Sequence, residues 1–179
     1  VGGALTGISV CRFLARRGSR VTLTDLSNLA GKESELSALA GLGVNLVIGG
    51  HRDRDFLDAD LIVVSPGVPL FIESLVKAKQ AGVTIIGDVE LASWYLKAPI
   101  LAVTGTNGKT TTTALLGEML DACNLSVAVG GNIGEPLVDL VEGSENLDCV
   151  VAELSSFQLE AIDTFRPHVA VLLNITPDH

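Results

Sequence analysis

A glycine-rich segment in the second half of the chain has the residue types that bind nucleotide phosphates. It spans Gly105–Thr111, reads GTNGKTT and follows the apolar run Ile100–Thr104. Glycines let backbone N–H groups converge on phosphate oxygens, and a helix N-terminus adds a partial positive charge. Lys109 can reach the outer phosphates, and the hydroxyl of Thr110 can ligate Mg²⁺. The residues predicted to bind the phosphates are Gly105, Thr106, Asn107, Gly108, Lys109, Thr110 and Thr111.

This loop is shorter than the common P-loop pattern. That pattern, G-x-x-x-x-G-K-[ST], would place a glycine at position 103, where the chain has Val103. The segment is instead G-x-x-G-K-T, between a predicted buried strand and a predicted helix that begins at Lys109. The alternative is a glycine turn before an ordinary helix without a ligand. The strand–turn–helix context, with lysine and threonine opening the helix, favours the phosphate loop.

Two further residues are candidate metal ligands because they lie at or just after strand ends. Glu153 ends the apolar run Cys149–Glu153, and His179 follows the run His168–Ile175. In open α/β sheets the carboxyl ends of the strands face the ligand. A carboxylate there can bind Mg²⁺, although a solvated strand-end carboxylate is the ordinary alternative. Beside a phosphate loop, with Thr110 as a hydroxyl ligand, the metal role of Glu153 is favoured, and His179 could be a second metal ligand.

A second fingerprint lies in the first half of the chain. The segment Gly2–Gly7 precedes a predicted helix, and Asp25 ends the next predicted strand. This arrangement, G-x-A-x-x-G with an acid about 20 residues on, is similar to the dinucleotide-binding fingerprint. Ala4 replaces the middle glycine, so a tight strand–helix turn without a ligand is the alternative. Ser65–Gly67 ends a third strand, and Gly130–Gly134, with Asn132 at its centre, forms another strand-to-helix turn.

The composition restricts the classes of protein to which the chain can belong. Hydrophobic residues make up 47% of the 179 residues and aromatic residues 4%, so we exclude disorder and favour buried parallel strands. The net charge of −9 argues against nucleic-acid or anionic-lipid partners. No apolar run approaches the ~20 residues of a membrane helix. Three cysteines without metal-binding spacing indicate free thiols and a cytoplasmic setting.

The elements that must position these residues alternate along the whole chain. The predicted strands are Val21–Asp25, Val44–Ile48, Leu61–Ser65, Val83–Gly87, Ile100–Thr104, Val127–Val129, Cys149–Glu153 and His168–Ile175. The predicted helices are Ile8–Arg17, Lys32–Ala40, Phe71–Ala81, Asp88–Leu96, Lys109–Cys123 and Glu135–Val141. Strand–helix–strand alternation predicts an α/β fold with parallel sheets and right-handed crossovers.

The predicted elements divide into two domains. A helix ends near Leu96, Pro99 blocks its continuation, and a new strand with its own phosphate motif follows. We predict a Rossmann-like parallel-sheet domain at residues 1–96 and part of a P-loop, mononucleotide-binding α/β domain at residues 97–179. The chain opens within a strand-to-turn transition and stops directly after an apolar strand. We therefore expect a fragment, with the first strand missing and the P-loop domain truncated.

Taken together, the motifs resemble those of the bacterial Mur ligases. The segments that carry the resemblance are Ser65–Gly67, Gly87–Leu91, Gly105–Thr111, Gly130–Leu137, Glu153–Glu160 and Asn174–His179. They occur in matching order over nearly the whole chain. The run SSFQL at 155–159 and the Rossmann-like first domain are most similar to the branch of the family that adds D-glutamate.

The resemblance implies a three-domain, ATP-dependent amide ligase of peptidoglycan precursor synthesis, and hence a role in cell-wall growth, shape and division. ATP would phosphorylate the terminal carboxylate of UDP-N-acetylmuramoyl-L-alanine, and the amine of D-glutamate would attack the acyl phosphate. The implied cofactors are ATP and Mg²⁺. The resemblance also implies a cytoplasmic monomer with no nucleic-acid partner and no membrane insertion.

The resemblance assigns roles to individual residues. Lys109 contacts the β- and γ-phosphates, Thr110 and Glu153 hold one Mg²⁺, and His179 helps to hold a second. Lys109, Glu153 and His179 are therefore the expected catalytic residues. Asn132 is expected to contact the middle portion of the substrate. The residues expected to hold the uridine diphosphate end are Leu5, Thr6, Asp25, Leu26, Ser65, Pro66 and Gly67.

Three alternatives stay open at this point. One is another Mur ligase, and a second is a folylpolyglutamate synthase-like ligase, which shares the short phosphate loop. The fingerprint of Gly2–Gly7 with Asp25 speaks against the second. The third is a non-catalytic fragment that binds UDP-sugar and ATP. The carbamylated lysine, the D-glutamate site and the adenine-binding domain of the family would lie beyond His179, so we expect this chain alone to be inactive.

Overall fold

Helices alternate with parallel strands in the computed structural model, which describes residues 1–177. The chain divides into two compact units, one of Val1–Asp88 and one that begins at Val89. Within the described residues, every strand pairing is parallel. The prediction of a mixed α/β fold with parallel sheets is confirmed. The division into domains at residues 96 and 97 stays a prediction.

The first unit contains two parallel strand pairs, β1 with β2 and β3 with β4. Its elements are α1 (Leu5–Arg16), β1 (Thr22–Asp25), α2 (Glu33–Gly41), β2 (Asn45–Ile48), α3 (Asp53–Leu57), β3 (Leu61–Val64), α4 (Glu73–Gln80) and β4 (Thr84–Gly87). The first two residues of the chain form hydrogen bonds at both strand pairs. Gly2 donates its N–H to the carbonyl of Thr24 at 2.9 Å, and Ser65 donates its N–H to the carbonyl of Val1 at 2.9 Å. The turn that follows is therefore held between β1 and β3.

The core of this unit forms where α1 and α2 cover the first strand pair. Ile8 and Cys11 lie three residues apart on one face of α1, as helical periodicity requires. They pack with Leu23, Leu39 and Val44, and all five side chains are buried. Burial of such apolar surface is the main source of stability. The core therefore fixes the start of α1 against the end of β1.

The second unit is built on one four-stranded sheet in the order β6-β7-β5-β8. Its elements are α5 (Asp88–Ser93), at whose first residue the units divide, β5 (Ile100–Thr104), α6 (Lys109–Ala122), β6 (Val127–Gly131), β7 (Cys149–Glu153), α7 (Ser156–Leu159) and β8 (Val169–Leu172). All five residues of β7 are buried, whereas Val169 and Leu172 of β8 are exposed. Because the strands are parallel, their carboxyl ends meet at one edge of the sheet.

A buried carboxylate anchors the loop that precedes β8. Both oxygens of Glu90, which is fully buried, accept hydrogen bonds. The donors are the indole of Trp94 at 2.8 Å, the hydroxyl of Thr164 at 2.5 Å, and the N–H groups of residues 163–165 at 2.8–3.0 Å. Burial by itself would raise the pKa of Glu90, but the hydrogen bonds from the Thr164 hydroxyl, the N–H groups of residues 163 and 165 and the Trp94 indole lower it to about 2. The loop is therefore tied to α5 by an ionised group.

Several element bounds differ from those predicted. The predicted strand His168–Ile175 forms only over Val169–Leu172, and the predicted helix Glu135–Val141 is a 3₁₀ turn at Leu137–Leu140. The short helices α3 and α7 were not predicted. In the part of the chain that the structure describes, no helix has both the length and the apolar character needed to cross a membrane.

Candidate functional site

The loop between β5 and α6 has a backbone that requires glycine at two positions. Gly108 has φ +85° and Gly105 has φ +143°, both in the region that L side chains rarely adopt. A Cβ on Gly105 would also lie 3.1 Å from the N atom and 3.2 Å from the carbonyl oxygen of Asn174. The two glycines of the predicted phosphate loop therefore have structural reasons for their positions.

The helix that follows this loop begins with free backbone donors. No side chain caps α6, and the N–H groups of Gly108–Thr111 have no partner within the helix. A helix of 14 residues also carries a partial positive charge at this end. Lys109 folds back over the loop, where its Nζ donates to the carbonyls of Gly105 at 2.7 Å and Thr106 at 2.9 Å. An ammonium and four N–H groups thus lie at one place, as an anion site requires.

The other N–H groups of the loop are used within the protein. Thr106 donates its N–H to the carbonyl of Asn174 at 3.1 Å, and Asn107 donates its N–H to Oδ1 of Asn174 at 2.9 Å. Sequence reasoning did not single out Asn174. The segment Asn174–His179 was among the motifs that carried the resemblance, but nothing in it indicated a contact with residues 67 positions earlier.

Glu153 lies on the strand next to β5, paired with Val103 and Gly131 on its two sides. Its side chain is 1% exposed. Asn132 donates from Nδ2 to Oε1 of Glu153 at 2.7 Å, and the Asn132 N–H donates to the Glu153 carbonyl at 2.8 Å. The second carboxylate oxygen, Oε2, is buried without a hydrogen-bond partner. The pair of Asn132 and Glu153 therefore leaves one oxygen for another ligand.

A buried carboxylate oxygen without a partner is costly, and a hard cation would satisfy it. Among residues 1–177, no group of three or more His, Cys, Asp or Glu side chains is placed to hold a metal ion. A cation at Glu153 would thus need ligands of other kinds. Mg²⁺ commonly uses one or two carboxylates together with hydroxyl, water and phosphate oxygens. Glu153 fits such a site, whereas His179 lies outside the described residues.

The turn before α1 is held by two side chains, one at the end of β1 and one directly after β3. Gly3 donates its N–H to Oδ2 of Asp25 at 2.6 Å, and the hydroxyl of Ser65 donates to the carbonyl of Gly2 at 3.0 Å. A Cβ on Gly7 would lie only 1.8 Å from the Gly2 carbonyl oxygen, so only glycine fits there. No side chain caps α1, which leaves the N–H groups of Ala4–Gly7 without partners within the helix.

The carboxylate of Asp25 is ionised and still has room for a ligand. Burial by itself would raise its pKa, but hydrogen bonds from Gly3 and from the N–H and hydroxyl of Ser27, together with His51, hold the pKa below its usual value. A carboxylate has about four acceptor positions, and three are used here. One position remains for a donor from outside the protein.

Of the remaining predicted residues of the first unit, Ser65 reaches this turn through its hydrogen bond to Gly2. Ser65 is buried, and Gly67 has φ +81° in the turn that follows it. Leu5 and Leu26 are largely exposed, with 57% and 66% of their surface accessible. Large exposed aliphatic side chains beside a free helix N-terminus can cover the face of a planar ligand.

Comparison with known proteins finds a match for each half of the chain. A family model described as "Mur ligase MurD-like, N-terminal domain" matches residues 1–87, and one described as "Mur ligase middle domain" matches residues 103–179. The chain belongs to the Mur ligase family. Together the two Mur ligase domains leave only residues 88–102 unmatched.

Close relatives within the Mur ligases carry one name. The chain is 55% identical over 179 residues to "UDP-N-acetylmuramoylalanine--D-glutamate ligase" of Geobacter metallireducens, and 55% identical to the protein of the same name from Geotalea uraniireducens. Both comparisons cover 100% of this chain and 40% of the relative. The chain thus spans about two fifths of the length of these Mur ligases.

Two solved Mur ligase structures share the fold. The UDP-N-acetylmuramate:L-alanyl-gamma-D-glutamyl-meso-diaminopimelate ligase of Neisseria meningitides matches with a TM-score of 0.58 at 21% identity, over 99% of this chain and 59% of that chain. The murein peptide ligase of Psychrobacter arcticus matches with a TM-score of 0.53 at 19% identity, over 96% and 41%. Both support the α/β architecture.

Proposed function

We propose that this chain provides the UDP-substrate-binding and ATP-binding parts of an ATP-dependent ligase that adds D-glutamate to UDP-N-acetylmuramoyl-L-alanine. The names of the close relatives support this assignment. So does the observation that carries the proposal, an uncapped helix with an ammonium and four free N–H groups at its start. The match of residues 1–87 to a MurD-like domain counts against a folylpolyglutamate synthase-like ligase.

The second unit would hold ATP and provide the charge neutralisation that phosphoryl transfer needs. The N–H groups of Gly108–Thr111 would donate to the phosphates, and Lys109 would exchange its loop carbonyls for β- and γ-phosphate oxygens. The free oxygen of Glu153 and the hydroxyl of Thr110 would hold Mg²⁺, which supplies further neutralisation when bound. We propose a P-loop domain from residue 97 onward on this basis, with His179 as a further proposed ligand.

The first unit would bind the uridine diphosphate end of the substrate in a Rossmann-like domain of residues 1–96. The N–H groups at the start of α1, including those of Leu5 and Thr6, suit the diphosphate. The open acceptor position of Asp25 suits an N–H or O–H of the uridine, with Leu26 and Ser65–Gly67 beside it. Asn132 still has one amide hydrogen for the middle of the substrate.

Amide formation would proceed by attack of the D-glutamate amine on the acyl carbon of the acyl phosphate. The tetrahedral intermediate would lose the amine proton and break its C–O bond to release phosphate, so the chain's contribution would be positioning and charge neutralisation. We propose that the chain by itself does not ligate, because it spans two fifths of its relatives. The three free cysteines suit a cytoplasmic enzyme, and we propose that it works as a monomer. Phosphate release from ATP, D-glutamate and the UDP-linked substrate on this chain would contradict the proposed inactivity.

Separate titrations of UDP and MgATP test the two-site assignment. Lys109→Ala should weaken MgATP binding by about a hundredfold, because a charged hydrogen bond to phosphate is lost, and should leave UDP binding unchanged. Lys97→Ala, which removes an exposed lysine of the same unit, is the matched control. MgATP binding that survives Lys109→Ala undiminished would remove the support for the phosphate loop.

A further inference from the structure

The phosphate loop is held from one side by the segment that follows β8. Four groups take part: the side chains of Thr106 and Asn174, and the backbone of Asn107 and Thr176. We call these contacts the loop clasp. They join residues 67 to 70 positions apart in the chain. Such a contact fixes the loop to the end of the neighbouring strand.

Asn174 uses both polar atoms of its amide on a single residue. Its Oδ1 accepts the N–H of Asn107 at 2.9 Å, and its Nδ2 donates to the carbonyl of Asn107 at 2.9 Å. The side chain therefore pairs with this backbone as a neighbouring strand would. Both polar groups of the Asn107 backbone are satisfied in this way.

The hydroxyl of Thr106 is used in a similar manner. It accepts the N–H of Thr176 at 3.0 Å and donates to the carbonyl of Thr176 at 3.2 Å. A hydroxyl has one proton to donate, and here that proton is already used. The backbone N–H of Thr106 also donates to the Asn174 carbonyl at 3.1 Å.

The loop is thus divided into a held part and an open part. The donors of Thr106 and Asn107 are engaged in the clasp, whereas the N–H groups of Gly108–Thr111 have no partner within the helix. We propose that Asn174 and the Thr106 hydroxyl are positioning residues, which hold the loop backbone so that Gly108–Thr111 face the nucleotide phosphates. This inference rests on the proposed ATP site. It revises the sequence-based expectation that Thr106 and Asn107 contact the nucleotide directly.

The first test uses the free chain and needs no nucleotide. Amide hydrogen exchange measured by NMR should show the Asn107 N–H exchanging about tenfold faster in Asn174→Ala, because its acceptor is gone. Thr106→Val should do the same for the Thr176 N–H, and Thr106→Ser, which keeps the hydroxyl, should restore protection. The matched control is Asn45→Ala, which removes an amide bonded to the Thr22 hydroxyl in the first unit. Unchanged exchange at Asn107 in Asn174→Ala would exclude the clasp.

The second test measures MgATP affinity by calorimetry on the same four variants. Asn174→Ala and Thr106→Val should each weaken binding by about tenfold, while Thr106→Ser and Asn45→Ala should bind like the unmodified chain. Faster exchange with unchanged MgATP affinity would overturn the positioning role. Weaker affinity with unchanged exchange would instead indicate direct contact with the nucleotide. If the unmodified chain does not bind MgATP, the proposed ATP site is wrong, and the exchange data alone decide the clasp.

Discussion

Two strand–turn–helix segments, one in each unit, lead into helices that begin without a side-chain cap. The turn Gly2–Gly7 before α1 is held by the carboxylate of Asp25. The turn Gly105–Gly108 before α6 is held by the neutral amide of Asn174, and a lysine lies beside it. Each support comes from the end of a neighbouring strand, and each bonds to a backbone N–H of the turn.

The difference between the two supports is one of charge. An ionised carboxylate at the first turn offsets the positive end of α1, so this turn suits a ligand that also brings donors of its own. The second turn keeps the full positive end of α6 and adds the ammonium of Lys109. In a chain with a net charge of −9, the proposed phosphate site would therefore depend on these local groups. The backbones differ as well: Ala4 before α1 is extended, whereas Gly108 before α6 is left-handed.

The largest effect is expected from filling the first turn. Gly7→Ala places a Cβ 1.8 Å from the Gly2 carbonyl oxygen and 2.8 Å from the Ser65 hydroxyl. To relieve this overlap the turn would have to move away from Asp25 and Ser65, which would break its hydrogen bonds to them. We expect a loss of about 3 kcal/mol or more in the free energy of unfolding of the first unit. Urea denaturation followed by circular dichroism measures it. A variant as stable as the unmodified chain would show that the turn is not tightly held.

The next largest effect is expected at the buried carboxylate of Glu90, which supports neither turn. Glu90→Gln keeps the shape of the side chain but sets an amide against some of the five donors, so we expect a loss of about 2–3 kcal/mol in the second unit. Glu118→Gln, at an exposed position on α6, is the control. Thermal denaturation of both variants at neutral pH measures the difference.

The same pair of variants tests the ionisation of Glu90. Because its pKa is lowered from 4.5 to about 2 in the folded state, its contribution is fully present above pH 4.5 and is lost as the pH falls towards 2. The stability difference between the unmodified chain and Glu90→Gln should therefore shrink across that window. A difference that stays constant would mean that Glu90 is not ionised in the folded protein.

A smaller effect is expected at the charged support of the first turn. Asp25→Asn retains an oxygen for one hydrogen bond but loses the charge and one acceptor, so UDP should bind about tenfold more weakly while MgATP affinity is unchanged. Asp58→Asn removes an exposed carboxylate of the same unit and serves as the control. Equal losses for both nucleotides would contradict two separate sites.

The smallest effect concerns a glycine outside both turns. Gly41 ends α2 with no atom near its Cβ position and no left-handed backbone. Gly41→Ala should raise the stability of the first unit by about 0.5 kcal/mol, because the unfolded chain loses more freedom than the folded one. A destabilised Gly41→Ala would suggest that the effect of Gly7→Ala reflects loss of glycine in general rather than the crowded turn.

The sequence was sufficient for the parts of the fold that depend on local pattern. The strands Ile100–Thr104 and Cys149–Glu153 form over the predicted residues, because each is a short apolar run bounded by polar or turn residues. Helix α7 was missed although Ser155 and Gln158 form a capping box, a signal that the sequence does contain. Its four residues are too few to show helical periodicity.

The supports of the candidate site could not be predicted, because they depend on pairs far apart in the chain. Asn174 was placed within the predicted strand His168–Ile175, whereas it lies beyond β8 and pairs with Asn107 instead. In the sequence, Glu90 stood out only as part of the segment Gly87–Leu91. Its role as a hydrogen-bond acceptor became visible only in the fold, which places residues 163–165 against it. Residue types showed which groups can bind phosphate or metal. The fold was needed to show which of these groups already form hydrogen bonds within the protein.

The indole that donates to Glu90 has a spectroscopic consequence. Trp94 is the only tryptophan of the chain, and the only tyrosine, Tyr95, is its neighbour, so residues 1–88 contain neither chromophore. Ultraviolet-excited fluorescence therefore reports on the second unit alone, and the emission of Trp94 is coupled to the charge of the carboxylate that its indole contacts. Circular dichroism sums over both units. A mismatch between the two signals during unfolding would show that the units melt independently, without any label.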